Sequence, residues 1–326
     1  MKILFIHHYE RNNLNKFRGS IPIISQLIER KNEVKHIAKN EWFHFFKTYN
    51  NFKPDVIVTC GPVAGIITLL YRCKLIGSTI IFHWGDNYSE IMGQKWGKRL
   101  ISFLEKSAVK YSDAVISISK YRFEKAKKEF DKTPLKNLFY IPLGYNKLFL
   151  KKSKKLLLPG KNKIKVVYSG EISKSKKFDE INKFFSKLSN IDFIFLGPNE
   201  NIVLQKNKNV FYLGFKPPEE VYSYLKSADF LLITEDNDSS LKLFEYQVFG
   251  KPILAPYGRI SKYLKLENNL YYHNFLDIPS LIKTTKIFKP MAIFTWEEIS
   301  DKYFKIIKNI HSKKEKFVKK EGYVGV

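Results

Sequence analysis

Lys242 and Glu245 are the two residues whose types and spacing point most directly to chemistry. They stand three positions apart in the segment Leu231–Pro256, which reads as strand, polar loop, helix and strand. That spacing places both side chains on one face of the helix, near its N-terminus. A helix N-terminus attracts anions, so a lysine beside it suits a phosphate. A carboxylate one turn further suits two adjacent hydroxyls, such as those of a ribose, although an ordinary surface ion pair has the same spacing.

The residues on either side of this pair define the expected helix. Ser239 or Ser240 can cap its N-terminus. Gly250 and Pro252 follow its end, as is typical of a helix terminus. The acid-rich loop before the helix contains Asp-x-Asp spacing at residues 236–238. Its position at the entrance of the helix fits ligand binding better than metal binding, and we expect no metal.

Gly170 marks a second candidate phosphate site. It directly follows the apolar strand Ile164–Ser169, and Lys174 and Lys176 stand where the next helix should open. A glycine after a strand lets the backbone approach a phosphate, and the lysines supply positive charge.

His83 is the candidate reaction-centre residue in the first half of the chain. It follows the apolar run Ser78–Phe82, and open α/β sheets bind ligands at the carboxyl ends of their strands. A structural histidine at a strand end is an equally good explanation of this pattern.

The elements that would position these residues alternate between strand and helix along the whole chain. A βαβ pattern opens each half, which predicts an α/β fold of two Rossmann-like domains facing a central cleft. The basic segment Lys151–Lys163, with Pro159-Gly160, is the best boundary. We therefore expect an N-terminal domain over 1–150, a C-terminal domain over 151–300, and a final helix with a basic tail over 301–326. No G-x-G-x-x-G motif is present, so a dinucleotide cofactor is not supported.

Composition limits the environment and the partners. Lys+Arg is 57 against Asp+Glu 31, a net charge of +26, which predicts attraction to polyanions such as anionic lipid, phosphorylated substrates or nucleic acid. Cys60 and Cys73 lack metal-ligand spacing and are expected to be two buried thiols. The N-terminus does not have the shape of a signal peptide. The longest apolar region, Val63–Phe82, is interrupted by Arg72 and Lys74. These features predict a cytoplasmic protein.

The aromatic segment Trp42–Phe46 allows two interpretations. It could be a core helix, or it could be an apolar surface at an acceptor or a membrane edge, because interfacial helices favour aromatic residues and lysine. With the charge, the second interpretation makes the inner face of the cell membrane a candidate peripheral location.

The order of these segments resembles the GT-B glycosyltransferases, specifically the retaining family 4. Lys242-Leu243-Phe244-Glu245-Tyr246 followed by Gly250-Lys251-Pro252 is similar to the family's nucleotide-binding core. The segment 170–177 resembles the family's phosphate loop, with Glu171 in place of an arginine. Asn237 stands where the family has the first of two glutamates. The resemblance also covers Asp113–Ser119, Ile141–Tyr145 and Phe294–Glu298.

The resemblance implies a sugar-nucleotide donor, with no further cofactor, and a glycan or lipid-linked acceptor. It implies catalytic roles for His83, Lys176 and Glu245. It also implies which residues contact the donor, two of the catalytic ones among them: Gly19, Gly170, Lys174, Lys176, Asn237, Ser239, Ser240, Leu241, Lys242 and Glu245.

Three alternatives remain open from the sequence. A sugar-nucleotide epimerase on the same fold would use the same donor without an acceptor. A non-catalytic member is suggested by the departures at Glu171 and Asn237. A basic nucleic-acid-binding protein would fit the charge, but the chain contains no helix-turn-helix, zinc or RNA-binding signature, so nucleic acid is not the favoured partner.

Overall fold

The computed structural model describes residues 1–7, 20–85, 95–129, 137–199, 202, 207–283 and 288–320. The chain divides into two compact units. Unit 1 contains Met1–Leu143 and Trp296–Val326, and unit 2 contains Gly144–Thr295. The division after Leu143 lies earlier than the expected boundary at 150, which falls inside a helix. The final helix begins at Trp296, so the return to unit 1 also starts earlier than expected.

Unit 1 is built on a six-stranded parallel sheet. Its strands are β1 (Lys2–Ile6), β2 (Glu33–Ile37), β3 (Val56–Cys60), β4 (Thr79–Trp84), β5 (Ala114–Ser117) and β6 (Leu138–Tyr140). The order across the sheet is β2-β1-β3-β4-β5-β6. The central strands are buried along their whole length, as expected of parallel strands covered on both faces.

The helices of unit 1 connect and cover these strands. They are α1 (Ser20–Glu29), α2 (Phe45–Phe52), α3 (Val63–Arg72), α4 (Lys95–Tyr111) and α5 (Lys120–Glu129), with α12 (Trp296–Lys320) returning at the end of the chain. Side chains of α2 and α3 share one apolar cluster with β1 and β3, and a second cluster joins α3 to α4. Helix α12 packs against α1.

Unit 2 repeats the plan. Its strands are β7 (Ile164–Ser169), β8 (Ile191–Leu196), β9 (Val210–Tyr212), β10 (Phe230–Leu232), β11 (Ile253–Pro256) and β12 (Asn269–Tyr272). They form a parallel sheet in the order β12-β11-β10-β7-β8-β9. The chain leaves β7 toward β8 on one side and later returns through β10 on the other. The sheet therefore has a topological switch point between β7 and β10, where open α/β sheets bind ligands.

The helices of unit 2 enclose an aromatic core. They are α6 (Lys147–Lys152), α7 (Phe178–Phe185), α8 (Pro218–Ser227), α9 (Leu241–Gln247), α10 (Arg259–Tyr263) and α11 (Ile278–Ile282). Phe185 of α7 stacks on Phe193 of β8 with the ring centroids 3.6 Å apart. Phe178 and Phe195 extend the same buried cluster.

Two expectations need correction. Cys73 is exposed, because it follows the last residue of α3 at the surface, whereas Cys60 is buried in β3 as expected. The basic tail expected at the end of the chain is helical over Lys313–Lys316, which belong to α12. They are ordered there because Lys314 Nζ lies 2.9 Å from Asp113 Oδ2 and 3.0 Å from the Ser78 carbonyl.

The aromatic segment is partly buried in the core and partly exposed, and a contact with an acceptor or a membrane stays a prediction. Phe45 is buried and Trp42 packs against the core. Phe43 is 94% exposed and Phe46 50% exposed. Among the residues that the structure describes, no helix has both the length and the apolar character needed to cross a bilayer.

Candidate functional site

The backbone at the switch point of unit 2 is shaped by two glycines. Gly170 follows β7 with φ +152, and Gly197 follows β8 with φ +146. A side-chain carbon at Gly197 would collide with the Gly170 carbonyl, and one at Gly170 would lie 2.8 Å from Lys242 Nζ. Both positions therefore need glycine, and the strand ends come close enough to bring the loop after β7 against α9.

Lys242 supplies a buried cation at this point. Part of the residue is exposed, but its ammonium group lies inside, 3.0 Å from the Tyr168 hydroxyl and 4.3 Å from the centroid of the Tyr168 ring. Among the described residues, no carboxylate forms an ion pair with Lys242. Burial lowers the pKa of Lys242 to about 8, and the nearby Lys176 adds to the decrease, while Glu235 opposes it. Burial thus disfavours the charged form of this lysine, and an anion that bound beside it would stabilise that form.

Lys176 is the second cation of the cluster, and it has a partner. Its Nζ lies 2.5 Å from Glu235 Oε1. Burial lowers the pKa of Lys176, but the hydrogen bond and charge of Glu235 outweigh burial, so the pKa is raised above its usual value. Lys176 ends a short 3₁₀ turn, Lys174–Lys176, and Lys177 follows with a left-handed φ of +57. Lys174 begins the same turn and is exposed.

Tyr168 connects the cluster to β7. Its ring is buried, and its hydroxyl donates to the Glu171 carbonyl at 3.0 Å. Burial raises the pKa of Tyr168, and the charge of Glu235 raises it further. The hydroxyl therefore stays protonated and acts as a neutral partner for Lys242. Glu171 adds a negative charge close to both lysines.

Glu245 lies one turn beyond Lys242 in α9 and is 7% exposed. Its Oε1 accepts a hydrogen bond from the Tyr222 hydroxyl at 3.0 Å. The same hydroxyl accepts from the backbone N–H of Asn146 at 3.1 Å. The tyrosine therefore fixes the orientation of the carboxylate.

The loop before α9 is organised by its own polar side chains. Asp236 accepts from the backbone N–H groups of Arg259 and Ile260 at 2.7 and 3.0 Å, so it caps α10. Asn237 Oδ1 accepts from the backbone N–H and the hydroxyl of Ser239 at 3.1 and 2.8 Å. The first carboxylate of the Asp-x-Asp spacing therefore has a structural role at the start of α10.

The start of α9 differs from the expected cap. Ser240 is the N-cap residue, but its side chain makes no capping hydrogen bond, and the hydroxyl of Ser239 is directed to Asn237 instead. The helix has only seven residues and ends at Gln247. Its charged side chains, rather than its dipole, therefore dominate the electrostatics of the cluster.

His83 lies in unit 1, at the carboxyl end of β4, and is 2% exposed. Its Nε2 is 3.0 Å from the Ser20 hydroxyl, and its Nδ1 is 3.3 Å from the Tyr303 hydroxyl. Both ring nitrogens therefore contact side chains from helices α1 and α12, and a catalytic role of His83 stays a prediction. Gly19, the other predicted residue of this half, lies outside the described residues.

Sequence reasoning missed three members of the cluster: Tyr168, Glu235 and Tyr222. Glu235 carried a usable signal, because it is a polar residue shortly after the carboxyl end of an apolar strand, β10, where open α/β sheets bind ligands. Tyr168 and Tyr222 carried none, since an aromatic residue in an apolar strand or helix normally indicates core packing. Within the described ranges, no group of three or more histidine, cysteine or acidic side chains could hold a metal ion.

Comparisons with known proteins place this geometry in context. No family model matches the chain. An uncharacterised 41.2 kDa protein in the cps region of Klebsiella pneumoniae is 28% identical over 224 residues, which cover 64% of this chain. The match spans 61% of the length of that protein.

Solved structures resemble the chain over nearly its whole length. Sucrose-phosphate synthase from Thermosynechococcus elongatus aligns with TM-score 0.69 and 13% identity, covering 96% of this chain and 100% of that one. The lipopolysaccharide outer core galactosyltransferase WaaB aligns with TM-score 0.60 and 13% identity, at 96% and 100% coverage. The UDP-GlcNAc 2-epimerase of Methanocaldococcus jannaschii aligns with TM-score 0.57 and 11% identity, at 95% and 100% coverage. At these identities the likeness concerns the fold, and the chain has the two-domain, Rossmann-like GT-B fold.

Proposed function

We propose that this protein is a glycosyltransferase that moves a sugar from a nucleotide-sugar donor to a glycan or lipid-linked acceptor. The donor would bind to unit 2 at the switch point between β7 and β10. We further propose that the sugar is transferred with retention and without a metal ion.

Lys242 is the observation that carries the proposal. Its buried ammonium has a neutral tyrosine as its nearest partner, and its pKa is lowered to about 8. A diphosphate placed over Gly170 would supply the missing negative charge, where no side chain occupies the glycine position. Charge-assisted contacts of this kind are about twice as strong as neutral hydrogen bonds.

Glu245 would bind the ribose of the nucleotide. The carboxylate is buried one helical turn from Lys242, and Tyr222 holds one of its oxygens. A carboxylate at this place can accept hydrogen bonds from the two hydroxyls of a ribose. The three-residue spacing of Lys242 and Glu245 would then separate the phosphate contact from the ribose contact along one helix.

The chemistry of the transfer follows from these contacts. As the bond between the sugar and the diphosphate breaks, negative charge develops on the leaving phosphate oxygens. Lys242 and Lys176 would stabilise that charge electrostatically, in a site that is already organised before the donor arrives. Glu235 holds Lys176 in its charged form and fixes its position.

Binding of nucleotide sugars tests the proposal directly. We expect calorimetry with a panel of UDP, GDP and ADP sugars to detect one nucleotide class. Glu245→Gln, which keeps the size of the side chain, should weaken that binding. Glu219→Ala, at an exposed glutamate of the same unit, is the matched control and should bind like wild type. Absence of binding to every class, with Glu245→Gln indistinguishable from wild type, would refute the proposal.

A turnover assay separates transfer from epimerisation, the alternative that uses the same fold and donor. The bound nucleotide sugar is incubated with and without a membrane extract that contains candidate acceptors. Release of the nucleoside diphosphate only when acceptor is present indicates a transferase. Conversion of the nucleotide sugar to its epimer without acceptor would instead identify an epimerase.

A further inference from the structure

Unit 1 exposes apolar side chains on one layer of helices. Of the seven large apolar residues that are exposed in the described part of unit 1, six lie on α2, α3, α4 or the turns next to α2 and α3. The six form what we call the apolar surface: Phe43, Phe46, Ile66, Leu75, Leu100 and Phe103. An exposed apolar residue by itself is normal in proteins, but a concentration of them on one face indicates an interaction site.

The helices that carry this surface are in direct contact. A side-chain carbon at Gly65 would collide with the backbone of Leu104, so α3 and α4 approach closely there. Seven residues further along both helices, the Arg72 guanidinium lies 4.2 Å from the centroid of the Tyr111 ring. The two helices therefore run side by side, and their outward side chains belong to one surface. Helix α2 adjoins α3 through their shared apolar cluster.

The charged side chains on the segments that carry the apolar surface are almost all positive. Exposed basic side chains on the same three segments include Lys47, Arg72, Lys74, Lys98, Arg99 and Lys110. The segments 39–52, 63–75 and 95–111 contain only two acidic residues. Glu105 is buried, and Glu41 accepts a hydrogen bond from the backbone N–H of Ala38 at 3.1 Å. No exposed carboxylate therefore interrupts the positive border within these segments.

We infer that the apolar surface binds an anionic lipid bilayer, with its aromatic and aliphatic side chains at the boundary between headgroups and acyl chains. An apolar face bordered by lysine and arginine suits this boundary. The basic side chains attract anionic headgroups, and the apolar side chains enter the acyl region. The inference is independent of the donor site in unit 2, and it concerns unit 1 alone.

The same observations disfavour two other occupants. A second copy of the chain, placed face to face on this surface, would bring two positive borders together. Nucleic acid would satisfy the basic residues but would leave the exposed Phe43, Leu100 and Phe103 without an apolar partner. A bilayer with anionic headgroups satisfies both parts of the surface.

Vesicle binding of the full chain tests the inference. We expect co-sedimentation with vesicles of phosphatidylcholine that contain about 30% phosphatidylglycerol, and a loss of binding at about 0.5 M salt. Leu100→Ser/Phe103→Ser should weaken binding about tenfold, because it removes the apolar contact. Leu157→Ser/Phe215→Ser is the matched control, since it removes two exposed apolar residues of unit 2, and it should bind like wild type.

A charge-reversal pair tests the positive border separately. Lys98→Glu/Arg99→Glu should also weaken binding to the anionic vesicles, while Lys151→Glu/Lys152→Glu on unit 2 should have a much smaller effect. All four changed positions are exposed, so each variant should keep the thermal midpoint of wild type. Equal binding by both charge variants would overturn the inference, since it would mean that net charge alone is responsible.

Cys73 provides a local probe without further engineering. It is the exposed cysteine at the end of α3, and Cys60 is buried. An environment-sensitive fluorophore on Cys73 should shift to shorter wavelength when anionic vesicles are added, and should not respond to vesicles of phosphatidylcholine alone. A chain labelled instead at Leu157→Cys in a Cys73→Ser background should not respond. Equal responses at both positions, or none at Cys73 while the chain co-sediments, would contradict the inference.

Discussion

Two largely buried lysines of unit 2 have different kinds of partner: one pairs with a carboxylate and the other contacts a neutral tyrosine. Lys165, in β7, pairs with the buried Asp192 at 2.5 Å and donates to the Pro159 carbonyl at 3.0 Å. Asp192 is also held by the backbone and side-chain N–H groups of Asn162 at 2.8 and 2.9 Å. Lys242, beyond the other end of the same strand, has a tyrosine hydroxyl and ring instead.

The difference separates a structural charge from one that is available to a ligand. The Lys165–Asp192 pair is satisfied on both sides, so it fixes the chain at the amino end of β7. Lys242 lies at the carboxyl end, at the switch point, and burial lowers its pKa to about 8. A cation whose charged form is disfavoured in the empty protein gains most when an anion binds.

The largest effect that we predict is on the structural side of the comparison. Asp192→Ala should lower the free energy of unfolding by about 3 to 5 kcal/mol, because it leaves the partly buried Lys165 without its counter-ion. Urea denaturation measures the loss. Asp229→Ala is the matched control: Asp229 is exposed and accepts one backbone hydrogen bond from Lys165, so we expect a loss of about 1 kcal/mol or less. Similar losses in both variants would remove the distinction between a buried and an exposed carboxylate.

The next effect concerns ligand affinity. Lys242→Met should weaken binding of the nucleoside diphosphate about 100-fold, equivalent to about 2.7 kcal/mol, because a charge-assisted phosphate contact is lost. Calorimetry measures the dissociation constants. Lys174→Met, in the exposed start of the 3₁₀ turn, is the control and should change affinity far less. Equal losses in the two variants would show that general positive charge, and not the buried lysine, holds the phosphates.

The pH dependence of stability tests whether the buried Lys242 has a lowered pKa. The pKa of Lys242 is about 8 in the folded chain against a usual 10.5. The unfolded chain therefore binds more protons than the folded chain between these values, and stability rises with pH across that window. Lys242→Met should be more stable than wild type at about pH 7, by about 1 to 3 kcal/mol, and the gap should close toward about pH 10. Urea denaturation at several pH values measures the gap, and a constant gap would contradict the lowered pKa.

The smallest effect tests the orientation of Glu245. Tyr222→Phe removes the hydroxyl that holds the carboxylate, a contact worth about 1 kcal/mol. We expect about fivefold weaker binding of the ribonucleotide and little change for the 2′-deoxyribonucleotide, which cannot pair both hydroxyls with Glu245. Titration of both nucleotides into wild type and variant gives the selectivity. A parallel loss for both would mean that Tyr222 acts only through packing.

Much of the fold was predictable because its signals are local. The apolar runs Ser78–Phe82 and Ile164–Ser169 form parallel strands as predicted, and the alternation of strand and helix along the chain is the predicted one. Gly170 was recognisable as a backbone requirement from its place after β7. The exposure of Cys73 and the helical order of Lys313–Lys316 were not, since each depends on where a helix ends or what it packs against.

The candidate site was predictable only in part, because its partners come from distant positions. The sequence placed Lys176 and Lys242 at strand-to-helix turns, and the structure brings both to one edge of the sheet. It could not pair Lys176 with Glu235, or Lys242 with Tyr168, because the approach of these side chains depends on the order of the strands. The roles of these residues in binding and transfer remain predictions.

If a diphosphate binds against the buried Lys242, as we propose, the lysine takes up a proton at pH values above its lowered pKa. Calorimetric titration of the nucleoside diphosphate at about pH 8.5, in two buffers with different heats of ionisation, measures this uptake. With a pKa of about 8 in the absence of ligand, most of the Lys242 population is neutral at that pH. We predict an uptake of about half a proton or more per bound ligand in wild type and close to none in Lys242→Met. Binding without proton uptake in wild type, or with equal uptake in the variant, would contradict the account.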